Sequence, residues 1–269
     1  ALIGALHLGA MPGTPGNVFS PSELVAQAVE EAKVMAEAGF HGIILENMHD
    51  RPYLKGEVGP EVVATMAVAA AEVRRNSHLP IGIQILAGAN EQALATAFCA
   101  GADFIRAEGF VFGHMADEGL IEACAGPLLR YRKKVGAERV KILCDIKKKH
   151  ASHALTSDLT LEDTAKAAEF FLADGVVVTG LETGSRTDPE EVRRTARAGR
   201  LPVWIGSGLT PESVADYPDA HGFIVGSWIK VDGDWTKPVD PSRCEAMAKA
   251  VQKLLSAQPR TSSSPSFSR

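Results

Sequence analysis

Apolar and polar residues alternate along this chain in a repeating two-part pattern. A short run rich in Ile, Val and Leu is followed by a stretch whose apolar positions recur every three or four residues. A strand buried on both faces reads as a continuous apolar run, and a helix laid over it shows a period near 3.6. The pattern predicts strands over 2–8, 41–47, 81–86, 103–107, 140–146, 175–179, 202–205 and 221–225. The first helix opens at Pro21-Ser22-Glu23, carries Leu24, Val25, Ala28, Val29, Ala32, Met35 and Ala36 on one face, and ends at Gly39. Further helices are predicted over 61–75, 91–100, 118–135, 161–173, 189–198, 211–215 and 241–255. Ala38-Gly39, Ala100-Gly101, Asp174-Gly175 and Ala198-Gly199 support the register, because glycine is the favoured helix terminator.

Eight strand–helix units in about 255 residues are what an α/β (β/α)8 TIM barrel needs, each helix supplying the right-handed return to the next parallel strand. The alternative, a doubly wound open sheet, ordinarily places Gly-x-Gly-x-x-Gly after its first strand, and none follows Leu8. Residues 1–257 therefore read as one domain. The Ser- and Pro-rich stretch 258–269 has no apolar face and reads as a disordered tail.

Two late strands end in glycine turns: Ile205-Gly206-Ser207-Gly208-Leu209-Thr210-Pro211-Glu212, then Phe223-Ile224-Val225-Gly226-Ser227. In a barrel, the loops after the seventh and eighth strands commonly hold a phosphate, and glycine lets backbone N–H groups approach an anion closely. Gly206, Ser207, Gly208, Gly226 and Ser227 are thus candidate phosphate-binding residues. The plainer alternative is a pair of ordinary strand-end turns.

Composition narrows the partners. The 28 basic and 33 acidic residues give a net charge of −5 with no basic block, which disfavours a nucleic-acid backbone. The longest nearly uncharged apolar run, 62–71, is too short to span a bilayer, so a soluble protein is expected. Cys99, Cys124, Cys144 and Cys244 lack Cys-x-x-Cys spacing, and Cys99 and Cys144 lie in apolar stretches, as thiols packed like small hydrophobes do. A reducing compartment is expected. Ala1 leads directly into a strand without Met, consistent with a processed form or an excised piece. A homo-oligomer stays open.

Chemistry in a barrel sits at the C-terminal ends of the strands. That rule selects His7, Glu46, Asn47, Gln84, Arg106, Glu108, Asp145, Lys147, Thr179 and Glu182. His7 reads equally as a satisfied core histidine, and Glu108 as a partner of Arg106. Gln84, between Ile83 and Ile85, either faces the barrel interior or the helices. Glu46, Glu108 and Asp145 come from different strands and serve either as ligands of a hard divalent cation such as Mg²⁺ or as acid, base and orienting groups. His49, His114 and His150 fall in predicted loops without zinc-helix spacing. Asp145 and Lys147, two apart at the end of an apolar run, share a face if the strand continues, which makes them a candidate catalytic pair with Glu46, His7 and Glu108. The alternative gives Lys147 to a solvated loop with Lys148 and Lys149. Asn47, Gln84, Arg106 and Thr179 are further ligand-binding candidates.

Several of these segments recur together in a known family. Leu2-Ile3-Gly4-Ala5-Leu6-His7-Leu8 with Pro12-Gly13-Thr14-Pro15, Leu45-Glu46-Asn47, Gly101-Ala102-Asp103-Phe104-Ile105-Arg106, Asp117-Glu118-Gly119-Leu120-Ile121, Asp145 with Lys149-His150-Ala151, Val178-Thr179-Gly180 with Thr183-Gly184, and the two glycine turns resemble the BtpA family in order across nearly the whole chain. The resemblance implies a TIM barrel of the ribulose-phosphate-binding type. Cyanobacterial members are tied to photosystem I biogenesis; other bacterial and animal members have no settled activity. Ala107-Glu108-Gly109 stands where many bacterial members carry Val-Asn, and Lys147 where they often carry His. Both departures resemble the animal branch, which points away from a photosystem role and implies the cytoplasm or the mitochondrial matrix as the compartment. The Asp-x-Lys spacing is similar to that of phosphate-binding-barrel decarboxylases, but it lies on the fifth predicted strand and His150 replaces their following Asp, so their reaction does not carry over. The expected function is an enzyme acting on a small phosphorylated metabolite, a sugar phosphate or a nucleotide-like phosphate, at the C-terminal face of the barrel. The alternative is a non-catalytic assembly or stability factor.

Overall fold

In a computed structural model that describes residues 1–180 and 186–257, the apolar runs become β1 (Leu2–His7), β2 (Gly42–Glu46), β3 (Ile81–Gln84) and β4 (Phe104–Ala107). After two short strands, β5 (His114–Ala116) and β6 (Gly119–Ile121), come β7 (Lys141–Ile146), the two-residue β8 (Ala151–Ser152), β9 (Gly175–Val178), β10 (Val203–Ile205) and β11 (Gly222–Val225). Eight of them close into an all-parallel barrel in the order β1-β11-β10-β9-β7-β4-β3-β2. Outside it lie α1 (Pro21–Glu37), α2 (Pro60–Ser77), α3 (Asn90–Ala100), α4 (Ala125–Lys134), α5 (Leu161–Phe170), α6 (Pro189–Ala198) and α7 (Pro241–Ala257). No described helix is long and apolar enough to cross a membrane. The tail 258–269 and the candidate Glu182, with Thr183-Gly184, lie outside the described residues.

Strand alternation sorts the buried residues into two cores. Ile3, Ala5, Ile44, Phe104, Leu143, Val177, Trp204 and Ile224 fill the barrel, while the intervening residues pack against the helices. The two largest interior side chains fit because a neighbouring strand offers glycine. A Cβ at Gly82 would lie 2.2 Å from the Phe104 ring, and one at Gly222 would lie 2.2 Å from Trp204. These layers plug the barrel below its C-terminal mouth. The next interior positions up each strand are His7, Glu46, Gln84, Arg106 and Asp145.

Two predicted helices are corrected. Residues 118–135 do not form one helix: β5 and β6 make an antiparallel hairpin, extended by β8, and α4 begins only at Ala125. His114 and Ala116 are buried while Met115 is 48% exposed, an alternation of period two. Gly119, at φ 108, takes a conformation no helix interior allows. His114 thereby belongs to a strand, not a loop. Between β10 and β11 the predicted 211–215 helix reduces to a single 3-10 turn, Val214–Asp216. Thr210 and Ser213 exchange side-chain to backbone hydrogen bonds at 2.9 and 3.3 Å, a local alternative to helical bonding. Cys144 is buried as expected, but Cys99, on the outer face of α3, is exposed.

Candidate active site at the barrel mouth

The mouth holds a cavity of about 540 Å³. It is lined by His7, Glu46, Gln84, Arg106, Glu108, Asp145, Lys148 and Lys149, together with Gly206–Gly208, Gly226 and Ser227 of the two late turns. The parallel register sets this grouping. His7 is level with Glu46, and Glu46 with Gln84, so each side chain arrives at the same height.

Arg106 is the hub. Its Nε donates to Asp145 Oδ1 and Oδ2 at 3.1 and 3.2 Å, its Nη2 to Oδ1 at 3.0 Å, and its Nη1 lies 3.5 Å from Glu46 Oε1. The guanidinium is buried, where only such pairing compensates its desolvation. Gly206 makes this possible, because a Cβ there would stand 3.1 Å from Arg106 Nη2 and 2.7 Å from Val177. Gln84 faces the interior and its amide donates to Glu108 Oε1 at 3.4 Å, while Lys148 Nζ lies 3.3 Å from Glu108 Oε2. Glu108 thus pairs with Lys148, not with Arg106 on its own strand.

His7 is held by its outer nitrogen. Nδ1 lies 3.1 Å from the Trp235 carbonyl, which can only accept, so Nδ1 carries the proton and Nε2 presents a lone pair to the cavity. Burial, aided by the charge of Lys230, holds the imidazole well below its usual value, so it is neutral at physiological pH. Its 3.7 Å approach to Glu46 Oε2 is therefore not an ion pair. Burial pushes the Glu46 carboxyl up against the opposing pull of Arg106. The Glu108 carboxyl is likewise pushed up by burial against Lys148. A neutral imidazole and a carboxyl that burial shifts toward its protonated form stand side by side, an arrangement suited to general acid–base chemistry.

Several candidates sit elsewhere than expected. Lys147 does not share the face of Asp145: β7 stops at Ile146, Lys147 turns to φ 45, and its Nζ donates to the Thr156 carbonyl at 3.2 Å. Asn47 is fully buried as a brace between β2 and β3, accepting from Leu86 N at 2.7 Å and donating to Asp50 Oδ2 at 2.9 Å. Thr179 accepts from the backbone of Lys149 at 3.1 Å and does not line the cavity. Gly206 spends its N–H on the Val178 carbonyl, so its value is the room it leaves for Arg106. Gly226 does the same for His7, whose Nε2 would stand 3.0 Å from a Cβ there. Among the described residues no three His, Cys, Asp or Glu side chains converge as a metal ion needs, and Arg106 occupies the space between Glu46 and Asp145.

Other cavity residues escaped the sequence reading. Trp235, Arg51 and Tyr53 come from long loops without periodicity. The Arg51 guanidinium lies 4.7 Å over the Trp235 ring, and the His49 ring is 5.1 Å from it. Lys149 stood in a charged run that resembles a solvated loop, and only its place in Lys149-His150-Ala151 marked it.

The sequence and the fold are shared beyond the chain itself. A mitochondrial protein of Caenorhabditis elegans is 46% identical over 94% of this chain and 93% of its own length. The photosystem I biogenesis protein BtpA of Synechocystis is 35% identical over 97% of this chain and 91% of its own. Among solved structures, thiamine phosphate pyrophosphorylase from Pyrococcus furiosus superposes with TM-score 0.58 at 12% identity, covering 94% of this chain and 96% of that one. Orotidine 5′-phosphate decarboxylase from Pyrococcus horikoshii gives TM-score 0.58 at 13% identity, covering 94% and 99%. At those identities the likeness is one of fold. The profile of the BtpA family matches residues 1–253, and the chain is a member of that family with a TIM-barrel fold.

Proposed function

We propose that this barrel is an enzyme that binds a small phosphorylated metabolite across its mouth, with the phosphate on the turns after β10 and β11 and the reacting carbon over the ring of β1, β2, β4 and β7. The observation that carries the reading is one cavity at the barrel mouth lined both by the two glycine turns and by a buried acid–base group. In this reading Gly208, at φ 67, shapes the anion turn. The His7 Nε2 lone pair serves as general base, the Glu46 carboxyl as general acid, and Asp145 holds Arg106 toward developing negative charge. The two solved barrels of the same fold are named for thiamine phosphate and orotidine 5′-phosphate chemistry, which supports a phosphorylated ligand. A thermal-shift screen against sugar phosphates and nucleotide monophosphates tests it. A specific ligand raises the melting temperature by mass action, whereas a flat response across the library removes the reading.

The name of the Synechocystis relative favours a second reading, a non-catalytic assembly factor. Such a factor tolerates His7→Ala and Glu46→Gln and depends on its outer surface; an enzyme shows the reverse.

A further inference from the structure

Three consecutive lysines follow β7, and each meets a different fate. Lys147 gives its ammonium to the Thr156 carbonyl, and Lys148 gives its own to Glu108. Lys149 lines the cavity, and among the described residues its ammonium has no hydrogen-bond acceptor and no carboxylate within ion-pair distance. Its main chain is fixed all the same, since its N–H is bonded to Thr179 Oγ1. A lysine pinned by its backbone at the edge of an acid–base pocket, and left without a counter-ion, is arranged as a nucleophile and not as a strut.

We propose that Lys149 forms a Schiff base with the carbonyl carbon of a phosphorylated aldehyde or ketone bound in the cavity. This rests on the phosphate-binding reading above and names its substrate class. The environment raises the fraction of neutral amine, the form the step needs: burial, and next the Arg106 charge, lower the Lys149 ammonium to about 8. Glu46, Asp145 and Glu108 pull the other way without restoring the usual value.

The step balances with groups already on the page. The Lys149 lone pair forms the C–N bond, the carbonyl π pair moves to oxygen, and a proton passes from nitrogen to that oxygen to give the carbinolamine. The Glu46 carboxyl then protonates the hydroxyl, which leaves as water while the nitrogen pair closes the C=N bond. The products are a protonated iminium, one water and the Glu46 carboxylate. The iminium draws electrons from the neighbouring carbon, and His7 Nε2 is placed to remove a proton from it.

Reductive trapping tests the assignment. The full chain is incubated with dihydroxyacetone phosphate or ribose 5-phosphate in the presence of cyanoborohydride, and adducts are mapped by peptide mass spectrometry. Glycerol 3-phosphate, which lacks a carbonyl, and unphosphorylated dihydroxyacetone are the controls. The expected result is a single major adduct on the peptide containing Lys149, at least tenfold above the controls. Lys149→Met and Lys149→Arg lose it, and Lys147→Met keeps it. Lys149→Arg retains the charge, so its circular dichroism and melting temperature separate loss of the amine from loss of the fold. If the carbonyl phosphates raise the melting temperature but leave no adduct on Lys149, the Schiff base is wrong and phosphate binding stands. Labelling spread over surface lysines regardless of phosphate also overturns it. If the probes neither stabilise nor label the chain, both this assignment and the phosphorylated-carbonyl substrate fall together.

Discussion

Arg106 on β4 and Asp145 on β7 face each other across adjacent barrel strands, and the guanidinium contacts both carboxylate oxygens of Asp145 at 3.0–3.2 Å. The pair is buried, so its members depend on one another. A carboxylate gripped in this way serves better as an orienting group than as a mobile base, whereas His7 keeps a lone pair directed at the cavity.

Asp145→Asn leaves Arg106 with only Glu46 at 3.5 Å, a buried cation short of its main counter-charge. Breaking a buried pair from one side costs about 3–5 kcal/mol. Urea unfolding should show a loss in that range. A loss below about 1 kcal/mol would mean that water replaces Asp145 readily and that the hub is not dry.

Gly208→Asp addresses the anion turn. The φ of 67 at Gly208 is one that Asp tolerates better than most residues, so the fold should survive with a cost of about 1 kcal/mol. The added carboxylate places like charge where the phosphate is to sit. Phosphate-dependent stabilisation should vanish while the unliganded melting temperature falls by only a few degrees. Equal ligand stabilisation in variant and parent would place the phosphate elsewhere.

How much of this site could be read from the sequence depends on what each signal encodes. The strand-end rule placed His7, Glu46, Gln84, Arg106 and Asp145 at the barrel mouth, but strand alternation leaves each side chain two choices, and the inward one became visible only in the folded barrel. Alternation fails at its last step. Lys147 reverses at a single φ of 45, a change that no hydrophobic period records. The hairpin of β5 and β6 was hidden for a related reason: three-residue strands are too short for period two to stand out from the helical pattern of α4 beside them. The glycines were legible as turns, but the packing at Gly206 and Gly226 depends on which side chain arrives from the neighbouring strand.

Acid should weaken the fold through His114. This residue is buried on β5, and burial, then the charges of Lys148 and His153, lower its imidazole from 6.5 to about 4. Asp145 opposes that shift. Between those values the unfolded chain binds the proton that the folded chain refuses, so stability rises with pH, and it is lost as pH falls from 6.5 towards 4. Glu46 and Glu108, whose carboxyls are raised by burial, act with the opposite sign above the ordinary carboxyl value. The comparison must therefore be differential. The stability of His114→Gln should decline less steeply than that of the parent across this window in urea titrations at successive pH. Parallel slopes would show that His114 protonates freely in the native state.

The loop that carries Trp235 to His7 is anchored by a second buried charge, and that gives the sharpest asymmetry to test. Lys230 is wholly buried and reaches Glu31 on α1, Nζ to Oε2 at 3.1 Å, while Glu31 Oε1 accepts from Val239 N at 3.3 Å. The Glu31 side chain is 20% exposed, so the two ends of the pair are not equivalent. Glu31→Ala strands an ammonium without water or partner and should cost about 3 kcal/mol or more. Lys230→Met fills nearly the same volume with apolar atoms and leaves a carboxylate that can turn to solvent, so it should cost about 1 kcal/mol or less. Because Lys230 stands between the cavity-lining segment 226–228 and Trp235, Glu31→Ala should also loosen the Trp235 carbonyl from His7 Nδ1 and weaken ligand stabilisation, although it lies outside the cavity. Equal costs for the two substitutions in urea unfolding would show that the ammonium finds water when Glu31 is gone, and the proposed anchoring of the loop would have to be abandoned.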